Sequence, residues 1–155
     1  MDRLARRHLV AVALVMAPTV CVAQQVGEVA PSDVRIVGDA IPEPLTTASA
    51  DKARGRSIVL DRSNGNCLIC HQVPVQEERF QGNVGPDLSG VGAHLSAGQI
   101  RLRLVDQGRL NATTLMPPFY RIDGLLRVGQ QYKGHTVLSA LEIEDVVAYL
   151  VSLKD

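Results

Sequence analysis

The stretch Cys67-Leu68-Ile69-Cys70-His71 constrains this chain more than any other. Its two cysteines lie one helical turn apart, and a histidine follows directly. Such a set can hold zinc, cycle between dithiol and disulfide, close a structural disulfide, or attach haem covalently. Each use makes a different demand on the remaining residues.

A structural zinc site asks for four protein ligands, usually in two paired clusters. Beyond this motif the chain has one further cysteine, Cys21, close to its start. His94 and His135 would have to complete a site with His71 at unusual spacing, although a three-ligand catalytic zinc remains compatible with the count. A thioredoxin-like dithiol sits after a strand in an alternating α/β chain, whereas here the glycine-containing coil "RSNGN" precedes the motif. A plain disulfide makes no use of the histidine. Covalent haem uses all three residues: both sulfurs add to the vinyl groups of one porphyrin, and His71 supplies an axial nitrogen to iron. The motif therefore predicts one haem c.

The first residues agree with that choice. Arg3, Arg6 and Arg7 precede the apolar run "LVAVALVMA", and "PTVCVA" offers a cut after Ala23. This is the three-part layout of a secretory signal peptide over residues 1–23, and the run is too short for a membrane span. The residues around Arg6-Arg7 match a twin-arginine signal poorly, and Val20 before Cys21 makes a poor lipoprotein site. Soluble export to the periplasm is expected, with no membrane span in the mature chain. Cleavage removes Cys21, Met1, Met16 and His8, leaving Cys67 and Cys70 as the cysteines and Met116 as the methionine. Lys plus Arg and Asp plus Glu number 16 each in the full chain, so nothing points to nucleic acid or a polybasic membrane surface. With three tyrosines, two phenylalanines and no tryptophan, a small domain has few large side chains to bury, and a cofactor would help fill it.

Residues 24–50 hold three prolines and no sustained helical period, and read as an extended arm. "VRIV" within it alternates like a strand and suggests that the arm is partly ordered. Residues 51–155 read as one all-α domain with long loops. "ADKARGRSIVLD" predicts a short helix starting near Asp51. Ser96 with Gln99, and Ser139 with Glu142, have capping-box spacing and open two further helices. In the last of these, Ile143, Val146, Val147 and Leu150 fall at i, i+3, i+4 and i+7, an apolar stripe. "GNVGPDLSGVG" and the stretch around "LMPPFY" are irregular.

Iron carrying His71 needs a sixth ligand or an open position. Met116 is the expected ligand, because it is the sole methionine of the processed chain and sits in a proline-stiffened loop. His94 and His135 are its rivals. Met/His ligation raises the reduction potential and closes the iron to exogenous ligands, which favours electron transfer. The second nitrogen of a ligating imidazole needs an acceptor, and a backbone carbonyl at Pro86 in "NVGPDL" can supply it.

With these residues in place, the chain resembles a class I cytochrome c over residues 51–155. "CLICH", "GPDL" and Met116 match the attachment motif, proximal loop and distal ligand. Gly55 matches the small residue where the first and last helices of that fold cross, and "EDVVAYL" matches the last helix, with Tyr149 as its aromatic residue. More narrowly, "GNCLICH", "GNVGPDLSGVG", "MPPFYR" and "LSALEIEDVVAYLVSLK" are similar, in order, to the blocks of the SoxX family. The long insertion between Gly55 and Cys67 resembles it too. That resemblance implies a single-haem subunit in a heterodimer with a SoxA-like cytochrome, the complex acting as L-cysteine S-thiosulfotransferase. It would join thiosulfate oxidatively to a cysteine of a sulfur carrier protein and pass the electrons to an acceptor cytochrome c. With Cys67 and Cys70 as thioethers, the processed chain keeps no thiol, so any catalytic sulfur must come from a partner. The alternative is a free-standing soluble cytochrome c shuttling electrons. A haem sensor would need an open or displaceable sixth position.

Overall fold

The computed structural model describes residues 26–154, so the expected signal peptide lies outside the described residues. Among the described residues the architecture is helical, with no strand: α1 (Lys52–Leu60), α2 (Val91–His94), α3 (Ala97–Asp106) and α4 (Ala140–Val151), plus four single 3-10 turns. The three longer helices start where side-chain caps satisfy their first backbone donors. The Ser139 hydroxyl accepts from Glu142 N at 3.3 Å while the Glu142 carboxylate accepts from Ser139 N at 2.8 Å. Ser96 and Gln99 form the same reciprocal pair at 3.3 and 2.9 Å. Each serine cap contributes about 1 kcal/mol. Asp51 caps α1 by accepting from Ala53 N at 2.7 Å and Arg54 N at 3.1 Å. Those backbone hydrogen bonds, that of Arg54 first, hold its carboxyl below the usual aspartate range.

The apolar stripe of α4 is buried throughout, and so are Glu144 and Asp145 on its other side. A helix buried nearly all round must pair its charges. Asp145 accepts from Arg54 Nε at 2.8 Å, from Arg54 Nη2 at 2.9 Å and from Asp51 N at 2.6 Å. These contacts lie where α1 crosses α4. At the same crossing, a Cβ on Gly55 would overlap the main-chain carbonyl of Asp145. Only a residue without a side chain allows the two backbones to approach so closely. Gly55→Ala is expected to cost about 3 kcal/mol, the upper part of the range for overpacked cores. Denaturant unfolding followed by circular dichroism measures it, and a loss below about 1 kcal/mol would show that the crossing yields.

Residues 26–50 run as a strap across α3 and α4. The expected alternation of "VRIV" produces no strand. Instead Val37 and Ala40 pair across a tight turn in which Gly38 has φ +59°. The reason is tertiary: Ile36 and Val37 are exposed, with no neighbouring strand to receive them. What anchors the strap is Ile41 and Leu45, both within the core. Ile41 N donates to Gly98 O at 3.0 Å, and Leu45 N donates to Glu144 Oε1 at 2.9 Å. Arg101 completes the joint, with Nε and Nη2 on the two Glu144 oxygens at 2.7 and 2.8 Å and Nη1 on Ile41 O at 2.7 Å.

Candidate haem-binding site

Gly65 and Asn66 take left-handed backbone angles, φ +75° and +50°, and turn the chain into a 3-10 helix over Cys67–Ile69. Cys70 N and His71 N both donate to Cys67 O, at 3.2 and 3.0 Å. Leu68, 1% exposed, fixes the turn in the core. Cys67 and Cys70 are both free thiols and both line one cavity. Burial pushes the Cys67 thiol up to about 11. A redox dithiol needs the opposite shift in its attacking cysteine, so the environment tells against a thioredoxin-like use. Among the described residues no three His, Cys, Asp or Glu side chains converge as a metal-binding cluster.

The loop after the motif folds back along it. Gly82 N donates to Leu68 O at 2.8 Å, Gly85 N to Cys70 O at 2.7 Å, and Leu88 N to Gln72 O at 2.9 Å. This brings Pro86 O to 2.7 Å from His71 Nδ1. A carbonyl can only accept, so Nδ1 donates here, and in the neutral ring that leaves the lone pair on Nε2. Pro86 is the acceptor that the loop sequence pointed to. A Cβ at Gly85 would stand 2.5 Å from His71 Cε1 and 2.7 Å from Nδ1, so glycine here lets the loop pack against the imidazole.

Met116 enters from the long connection between α3 and α4. Its own N–H donates to Thr114 Oγ1 at 3.1 Å. Three residues later the loop is tied down: Phe119 N donates to Leu104 O at 3.0 Å, and Phe119 O accepts from Val137 N and Leu138 N at 3.0 and 3.1 Å. Met116, Cys67, Cys70 and His71 all line the same cavity of about 590 Å³, within the usual size range of cofactor sites. Its apolar walls come from every long helix: Val59 of α1, Ile100 and Leu104 of α3, Val146 and Leu150 of α4, with Phe119 beside them. His94, exposed, also lines the cavity, whereas His135 is exposed on the loop before α4.

Two polar lining residues escaped the sequence reading. Arg103 and Gln107 face the cavity with Ile100 and Leu104. Positions 100, 103, 104 and 107 are i, i+3, i+4 and i+7, one helical face, and polar residues interrupting an apolar stripe were the available signal. Gln107 Oε1 is buried with no hydrogen-bond partner among the described residues. That oxygen can only accept, so the lining group suited to the carboxylates of a bound haem is the Arg103 guanidinium and not Gln107 Oε1. Two thiols one turn apart, an imidazole with Nδ1 held by Pro86 O, a thioether, apolar walls and the Arg103 guanidinium fit haem c.

No family model matches this chain, and no curated protein does. Among solved structures, the c-type cytochrome SorU from Sinorhizobium meliloti has 25% identity and a TM-score of 0.43, covering 66% of this chain and 88% of that one. The structure of SoxXA from P. pantotrophus contains a chain with 34% identity and a TM-score of 0.76, and the match covers 83% of this chain and 100% of that one. On that identity, coverage and shared helical architecture, the chain belongs to the SoxX family, electron-transfer cytochromes with the class I c-type fold.

Proposed function

We propose that this chain is the single-haem electron-transfer subunit of a periplasmic SoxAX-type complex, working beside a SoxA-like cytochrome. The complex joins thiosulfate to a cysteine of a sulfur carrier protein. The thiol gives up its proton, an S–S bond forms, and two electrons pass on to an acceptor cytochrome c. Bound haem supplies reversible one-electron uptake.

The chain's own residues prepare the site for that role. Cys67 and Cys70 hold the haem as thioethers. Pro86 O keeps the proton on Nδ1 and so leaves Nε2 of His71 free to bind iron. Met116 would offer its thioether to the haem iron, a ligand that raises the reduction potential. The Arg103 guanidinium would meet the haem carboxylates. With both cysteines used, residues 24–155 hold no thiol, and the sulfur intermediate forms on a partner.

The observation that favours a complex subunit over a free shuttle is the rim of the cavity. Val84 and Leu115 line it yet are 67% and 83% exposed. Ile69 and Phe80, on the motif turn and the loop behind it, are 60% and 86% exposed. Exposed large apolar side chains at a cofactor cavity's rim, here Val84 and Leu115, mark a surface that another protein covers. A shuttle that docks transiently is served better by charge.

The deciding experiment is a mild affinity purification of the processed protein from native periplasm, resolved on a denaturing gel stained for covalent haem. A second haem-bearing band in near-equal amount, with thiosulfate-dependent reduction of the pair, is expected. A lone haem band that thiosulfate and carrier protein fail to reduce would overturn the complex and leave the shuttle.

A further inference from the structure

Between Asp106 and Ala140 the chain makes no α-helix, and Met116 lies in the first third of this connection. Three consecutive residues hold it down. Phe119 bonds to α3 and to residues 137 and 138 through its backbone, as described above. Arg121 Nη1 donates to Asp106 Oδ2 at 2.7 Å, again at the end of α3. Tyr120 differs from both. Its ring is buried, and its hydroxyl donates to Val29 O at 2.7 Å, a partner 91 residues away in the N-terminal strap.

The strap carries that contact onward. Val29 N donates to Leu45 O at 2.8 Å, and Leu45 N donates to Glu144, which Arg101 grips. An unbroken chain of hydrogen bonds and buried ionic contacts thus runs from α4, through both limbs of the strap, to the loop that bears Met116. Burial, and after it the nearby Glu28 carboxylate, raise the Tyr120 phenol above its usual range, so it remains a donor.

We propose that Tyr120 is a positioning residue for the distal iron ligand: its bond to Val29 fastens the Met116 loop to the N-terminal strap, so that loosening the strap loosens Met116. The proposal rests on Met116 as distal ligand. Physically, an axial thioether is held as much by the loop that presents it as by the weak bond itself. A loop tied at one fewer point opens more often and gives an added ligand its chance.

The test titrates imidazole into the oxidised holoprotein and follows loss of the sulfur-to-iron charge-transfer absorption. Tyr120→Phe keeps the ring and removes the hydroxyl, and should raise apparent imidazole affinity about fivefold, the worth of one ordinary hydrogen bond. Thr47→Ala removes a bond inside the strap, from Gly27 N to Thr47 Oγ1 at 2.9 Å. It should raise affinity about twofold in the native background and not at all when Tyr120→Phe has already cut the link. An unchanged affinity in Tyr120→Phe, with the absorption intact, overturns the fastening. An equal effect of Thr47→Ala in both backgrounds overturns the coupling through Tyr120. If the native protein lacks the absorption and Met116→Leu leaves its spectrum unaltered, the ligand reading itself fails and takes the proposal with it.

Discussion

Met116→Leu is expected to abolish the sulfur-to-iron charge-transfer band of the oxidised protein while haem stays covalently attached. The reduction potential should fall by a sizeable part of the roughly 0.8 V range that axial ligands span. A thioether raises the potential, and leucine offers iron no electron pair at all. Leucine nearly conserves the volume of methionine, and such swaps usually cost less than about 1.5 kcal/mol. Because Phe119 holds the loop through its backbone, the spectral change should appear in a folded protein. Absorption spectroscopy and a redox titration read both effects. An oxidised spectrum identical to that of the native protein would remove Met116 from the ligand set. His94, which lines the same cavity, would then be the next side chain to replace.

Arg101→Leu should give the largest loss of stability, about 3–5 kcal/mol. Arg101 and Glu144 are 4% and 5% exposed. Removing the guanidinium leaves a buried carboxylate with only the Leu45 N–H among its present partners. It also strips the Ile41 carbonyl of its 2.7 Å donor, so the strap loses its grip at the same moment. For a chain of this size, the loss corresponds to a fall in melting temperature of roughly 10–20 °C. Thermal and denaturant unfolding of the holoprotein measure it. A loss below about 1 kcal/mol would mean that water reaches the pair in solution.

The parts of the structure legible in the sequence are those decided within a few residues. Ser139 with Glu142 and Ser96 with Gln99 announce their helices because both capping partners lie in the same turn. The stripe of Ile143, Val146, Val147 and Leu150 announces which face of α4 is buried. Even the acceptor for His71 was readable, since Pro86 lies 15 residues on in a loop stiff enough to return to it. "VRIV" lies in an arm that is ordered, but it forms no strand for the complementary reason: alternation describes a strand only where another strand lies alongside, and among the described residues none does. Arg103 and Gln107 were passed over because an arginine or glutamine on a helix ordinarily faces water.

The chemistry available to residues 26–154 is thus determined by the sequence alone: two thiols and an imidazole one turn apart, one methionine in a proline-stiffened loop, and no third thiol. How firmly that chemistry is held is decided only in three dimensions. The partners Arg101 and Glu144 are 43 residues apart, Val29 and Tyr120 are 91, and Leu45 and Glu144 are 99. Helical periodicity reports neighbours three or four positions away and is silent at such separations. In a pattern, a buried Glu144 reads the same as one in water. Only the packing of strap, α3 and α4 together removes it from solvent and obliges it to find those partners.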